Sequence, residues 1–90
     1  MSSIRRLSRQ EASEKATAIA LQLLQATDTK GWDWELETSR PDPINTESVG
    51  KTPRHWICAV TYSKHGSILD GPALIEIDLQ LETAEWLESL

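Results

Sequence analysis

The stretch His55-Trp56-Ile57-Cys58-Ala59-Val60-Thr61-Tyr62-Ser63 decides how this chain folds. Side chains alternate between the two faces of a strand. Trp56, Cys58, Val60 and Tyr62 therefore share one face, and Ile57, Ala59 and Thr61 share the other. Apolar residues on both faces mark a central strand whose second face is partly covered.

Toward the C-terminus, Lys64 to Pro72 (KHGSILDGP) is a turn region marked by Gly66 and Asp70-Gly71-Pro72. A third strand follows over Ala73 to Leu79. Ala73, Ile75, Ile77 and Leu79 lie on one side of it, and Leu74, Glu76 and Asp78 on the other. Leu81 to Leu90 (LETAEWLESL) has two readings. One is a tight turn at Glu82-Thr83-Ala84 followed by a short strand, which is favoured. The other is a short helix capped by Thr83.

Toward the N-terminus, Trp32-Asp33-Trp34-Glu35-Leu36-Glu37-Thr38 alternates strictly. It predicts a strand with Trp32, Trp34 and Leu36 inward and three carboxylates outward. Between these two strands, Ser39 to Pro53 (SRPDPINTESVGKTP) has no period, and residues 39–53 are expected to form a long loop. Before the first strand, Ser8-Arg9-Gln10-Glu11 reads as a capping box, with Leu7 and Ala12 as its hydrophobic staple. Ala12, Ala16, Ile19, Ala20, Leu23 and Thr27 follow on one helical stripe, and Gly31 stops it. A helix is expected over about Arg9 to Thr27, with Leu21 on its far side and residues 1–7 flexible.

These elements make one small α+β domain over residues 1–90. One N-terminal helix packs on one face of an antiparallel sheet of three or four strands, covering the side that bears the tryptophans. Alternation then puts Asp33, Glu35, Glu37, Glu76 and Asp78 on the opposite, open face.

Composition narrows the function. Leu, Ile and Val total 20 of 90 residues with no Phe, enough for one small and marginally stable core. Acids number 14 against 9 Lys and Arg, for a net charge of −5. Nucleic-acid and anionic-membrane binding both need clustered positive charge, so neither partner is expected. No apolar run is long enough to span a membrane, and none follows Met1–Leu7 as a secretory signal requires. The single Cys58 rules out an internal disulfide and fits a reducing, cytoplasmic setting.

Little here points to catalysis, to a metal or to another cofactor. His55 and Cys58 are three apart, and an odd separation on a strand turns them to opposite faces. His65 belongs to another turn, and a zinc site needs three or four converging ligands. No Gly-flanked serine and no Gly-rich phosphate loop occurs. The acids are concentrated: residues 70–90 hold six and no base. Such a face either keeps a small protein soluble or docks a basic partner. Trp86 is the tryptophan whose exposure is most open. The candidate partner-binding residues are Asp33, Glu35, Glu37, Glu76, Asp78, Arg54, His55 and Trp86.

Two resemblances bear on this reading. Helix followed by three strands and a possible last helix is similar to the double-stranded-RNA-binding domain. Where that family puts a Lys-rich helix start, this chain has Thr83-Ala84-Glu85-Trp86-Leu87-Glu88, and the charge excludes it. Ile75-Glu76-Ile77-Asp78-Leu79-Gln80-Leu81-Glu82-Thr83-Ala84-Glu85-Trp86-Leu87 resembles the closing hairpin of PepSY-like domains. Those domains end in an alternating strand, a Thr-Gly turn and a short apolar strand, with Ala84 here where they have Gly. Glu11, Ala12, Ala16 and Ala20 resemble the opening of their helix. Small bacterial immunity proteins of polymorphic toxin systems share a similar strand and turn. The resemblance implies a regulator or inhibitor that binds another protein, and it transfers no functional residue. The expectation is a non-enzymatic protein-binding module, in its most concrete form an acidic inhibitor or immunity-like protein masking a basic partner. The alternatives are a small enzyme or metal-binding protein using His55, His65 and carboxylates, and an accessory subunit of a larger complex.

Overall fold

The computed structural model describes residues 7–28, 31–64, 66–68 and 73–87. Helix α1 spans Arg9–Ala26. Its capping box is complete: the Glu11 amide donates to Ser8 Oγ at 3.1 Å, and the Ser8 amide donates to Glu11 Oε1 at 3.0 Å. Leu7, the N-terminal half of the staple, packs on the core, and the other positions expected to be flexible lie outside the described residues.

The buried helical positions are Ala12, Ala16, Ala20 and Leu24, flanked by Ile19 and Leu23. This corrects the expected stripe, which ended at Thr27 and omitted Leu24. Thr27 is the C-cap, and its amide donates to Leu24 O at 3.1 Å. Leu21, assigned to the far side, is half-buried. Three alanines at the interface let the helix backbone lie close to the sheet and leave room for Trp56 beneath it.

The strands are β1 (Asp33–Leu36), β2 (Arg40–Pro41), β3 (Ser48–Val49), β4 (Thr52–Pro53), β5 (His55–Lys64), β6 (Ser67–Ile68), β7 (Ala73–Asp78) and β8 (Thr83–Trp86). The main sheet has the order β1-β5-β7-β8, all antiparallel, with β2 and β6 pairing on β5. The fold is α+β, with β5 at its centre as the two-faced pattern requires. Trp56, Cys58 and Val60 are buried with Ile75, Ile77 and Leu79 beneath the helix, and Tyr62 packs at their edge. Ile57 is buried on the other face.

Trp34 lies on the expected face but corrects the expected burial. It stands opposite Tyr62 and Leu36 opposite Val60, so alternation puts both on the helix side. Leu36 packs on the core, but Trp34 stays 38% exposed. The helix crosses the sheet diagonally. Ser13 and Thr17 bond to Ser39 at the β1–β2 edge, while Thr27 meets Trp86 of β8 at the opposite edge. The corner carrying Trp34 is left uncovered. Trp32 is half-buried, with Lys64 Nζ 5.8 Å from its ring centroid.

Residues 39–53 are not an unstructured loop. β2 pairs with β5, β3 and β4 form a small ribbon, and Ser39, Asp42 and Thr52 are buried. The proline-rich sequence hides this because it has no period and part of its hydrogen bonding runs through side chains. Asp42 Oδ1 accepts from the Ile44 amide at 2.8 Å, and Thr52 Oγ1 donates to Leu7 O at 3.2 Å.

The C-terminal element is a strand, as favoured, but its turn occupies residues 79–82, with Thr83 and Ala84 already paired to Asp78 and Ile77. Asp78 Oδ1 sets this turn by accepting from the Gln80 and Leu81 amides at 2.9 and 3.2 Å. Glu82 closes it with φ 55°, in the left-handed region that usually favours glycine. Among the described residues, no helix is long and apolar enough to cross a membrane.

Candidate functional site

The open face divides into two regions with different chemistry. The first is a partly buried polar network at the β7–β8 end. Arg54 Nε and Nη2 donate to the two oxygens of Asp78 at 3.0 and 2.9 Å, a bidentate pair. Arg54 Nη1 reaches Glu47 at 3.1 Å, and His55 Nε2 lies 3.2 Å from the same carboxylate. Burial pushes the Asp78 carboxyl up, but the Arg54 hydrogen bond and the Leu81 and Gln80 amides outweigh it and leave it below the ordinary range. The bond with Asp78 holds the Arg54 guanidinium above its usual value.

Beside this pair, Glu76 hydrogen-bonds to Asp42. Burial first, and then that bond, push the Glu76 carboxyl up. Burial also acts to raise Asp42, but the Ile44 and Asn45 amides and the bond with Glu76 outweigh it. The interaction thus lowers the Asp42 carboxyl and raises the Glu76 carboxyl, so Glu76 is the weaker acid of the two. A depression of about 150 Å³, lined by His55, Glu76, Asp78, Leu81, Thr83 and Glu85, opens above them. His55 Nδ1 is buried without a partner in the described residues.

Of the sequence candidates, Glu76, Asp78, Arg54 and His55 all belong to this network. It ties Asp42 and Glu47 of the proline-rich segment to the sheet. Arg54 and His55 side chains are only 20% and 12% exposed, so they brace the fold more than they present a surface. Trp86 is half-buried on the helix side, opposite Ile75, and its Nε1 donates to Thr27 Oγ1 at 3.2 Å. Cys58 is buried under the helix, its Sγ donates to Glu37 O at 2.8 Å, and burial pushes its thiol pKa up. It lies on the opposite face from His55, as the odd spacing requires. His65 lies outside the described residues. Among those described, no group of three His, Cys, Asp or Glu side chains could hold a metal ion.

The second region is the β1 edge. Asp33, Glu35 and Glu37 are exposed, and no described cation forms an ion pair with them. Glu35 and Glu37 border a shallow groove of about 430 Å³ whose floor is Ile57 and Ala59 of β5, with Arg40 at one end. Sequence reasoning missed Asp42 and Glu47, which lie in an aperiodic stretch. The Pro41-Asp42-Pro43 run signalled a turn for Asp42, while nothing near Glu47 marked it. It also missed the exposure of Trp34 on the helix side of the same strand.

The five carboxylates assigned to one open face thus separate. Among the described residues, Asp33, Glu35 and Glu37 have no ion-pair partner, while Glu76 and Asp78 of β7 are committed to internal partners. Comparison with known protein families, with curated proteins and with solved structures finds no match for this chain.

Proposed function

We propose that the chain is a non-enzymatic protein-binding module whose β1 edge receives a basic partner, in the manner of an acidic inhibitor or immunity-like protein. The observation that carries this is the contrast within the open face. Glu76 and Asp78 are half-buried and hydrogen-bonded, whereas Asp33, Glu35 and Glu37 are exposed and have no described counter-ion. Three exposed carboxylates along β1 and the residue after it, without a counter-ion among the described residues, repel one another, and a basic partner relieves that repulsion. They also steer such a partner into encounter. The exposed Trp34 supplies an apolar anchor on the same strand. The resemblance of the helix and last hairpin to PepSY-like and immunity-type proteins supports the same role. The acidic balance argues against nucleic acid and anionic membrane, and the buried free thiol of Cys58 supports a cytoplasmic setting.

The test is paired affinity capture from the native host, with the parent chain and a Glu35→Lys/Glu37→Lys variant as baits and quantitative mass spectrometry as readout. A protein of basic isoelectric point retained by the parent and lost from the variant supports the proposal. Equal capture by both baits, or an acidic protein as the sole captured species, contradicts it.

A further inference from the structure

We propose that the outer edge of β1 is a docking edge for an extended basic segment of the partner, which joins the sheet as an added strand. The segment carries Lys or Arg at every second position and apolar residues between them. This rests on the reading of the chain as a binder of a basic partner, and specifies how the partner is held.

The backbone comes first. β1 ends the strand order and, among the described residues, pairs only with β5. The Glu37 amide donates to Ala59 O at 2.9 Å, continuing the register in which Glu35 faces Thr61. In an antiparallel pair, alternate residues direct both N–H and C=O at the partner strand. Residues 33, 35 and 37 therefore face β5, and the N–H and C=O groups of Trp34 and Leu36 point away from the sheet. Such a row is a template for another strand.

On this side of β5, among the described residues, the edge is open along β1. Leu36 faces Val60 and Arg40 faces Ile57, so the edge carries one more residue than β5 between these pairs. That is a β-bulge. It turns Ser39 into the helix, where Ser13 Oγ donates to Ser39 O at 2.8 Å and the Ser39 amide donates to Thr17 Oγ1 at 3.1 Å. Ser39 and β2 thus find internal backbone partners, whereas the outward backbone groups of Trp34 and Leu36 have none among the described residues.

The side chains then select the occupant. A strand laid beside β1 sets its alternate side chains about 4.5–5.5 Å from those of β1, measured between Cβ atoms. On the open face these neighbours are Asp33, Glu35 and Glu37; on the other they are Trp34, 38% exposed, and Leu36. The occupant matching both is cationic on one face and apolar on the other, with period two. A second copy of β1 sets carboxylate against carboxylate and is disfavoured.

Residues opposite Trp34 and Leu36 are the apolar ones, and their own N–H groups point at β1. This identifies which peptide nitrogens matter. The full chain, labelled with ¹⁵N, is titrated with the acetylated and amidated peptide Lys-Val-Lys-Val-Lys-Val-Lys. Three comparison peptides are used: one N-methylated on its valines, one N-methylated on its interior lysines, and one of the same composition with the lysines contiguous. The expected result is new hydrogen-exchange protection at the Trp34 and Leu36 amides, none added at Glu35, and about tenfold or greater weakening by valine N-methylation, since at least two backbone bonds are lost. Lysine N-methylation is expected to be tolerated, and the contiguous peptide to bind more weakly than the alternating one. If all four peptides bind alike and shift the Asp33–Glu37 resonances without new protection, strand addition is overturned and the acidic-surface reading survives. If none binds, both fall. If the Trp34 and Leu36 amides become protected with rising protein concentration alone, a second copy occupies the edge and the proposal is overturned.

Discussion

Glu76 and Asp78 sit two residues apart on one face of β7, yet their surroundings displace them in opposite directions from the ordinary carboxyl range. Glu76 is raised above its ordinary 4.5 by burial and by its bond to Asp42. Its contribution to stability is complete below that value and is lost as the pH rises through its folded value. Asp78 is lowered below 3.8, since Arg54 and two backbone amides outweigh burial. Its contribution is present above that value and lost as the pH falls through its folded value. Glu76→Gln keeps a donor to Asp42 that cannot ionise. The variant is expected to lose less stability than the parent between about pH 5 and about pH 7, by urea denaturation at both. A loss as large as the parent's would mean that ionisation of Glu76 does not govern stability over this range. At the start of α1, the Ser8 hydroxyl was fully legible from Ser8-Arg9-Gln10-Glu11, because a capping box is a local pattern. Ser8→Ala should lower stability by about 1 kcal/mol in thermal unfolding, and no change would mean the cap is not contributing. The Asp42–Glu76 pair was not legible, since it joins residues far apart through an aperiodic segment.

At the scale of elements, period-two alternation correctly assigned Trp56, Cys58, Val60, Ile75 and Ile77 to the helix side. It failed for the burial of Trp34 because alternation gives the face of a strand and not the path of the helix across it. Trp56→Ala is therefore expected to cost about 3–5 kcal/mol. Trp34→Ala is expected to cost under about 1 kcal/mol, as an exposed substitution. Chemical denaturation of the two variants separates them, and equal losses would contradict the diagonal packing. The bulge at 37–39 was equally invisible, because a single extra residue leaves no mark in composition. Its backbone depends on Thr17, so Thr17→Val should strand the Ser39 amide and cost about 1–3 kcal/mol. A neutral effect in the same assay would show that another group satisfies it.

At the scale of the whole molecule, the net charge of −5 describes the protein less well than its partition. The six acids and no base of residues 70–90 looked like the dominant surface. Folding commits Glu76 and Asp78 to Asp42 and Arg54, leaving the recognition role proposed here to β1. Charge counts could not reveal this, since pairing depends on which distant segments the sheet brings together. The central claim is that the free β1 carboxylates steer a basic segment to the edge. Stopped-flow tryptophan fluorescence, with Trp34 reporting at that edge, measures it by following association of the alternating Lys-Val peptide at low and high salt. The parent is expected to associate quickly at low salt and to slow as screening rises. The Glu35→Lys/Glu37→Lys variant, folded by circular dichroism, is expected to associate slowly at both. Equal association rates for parent and variant at low salt would contradict the account.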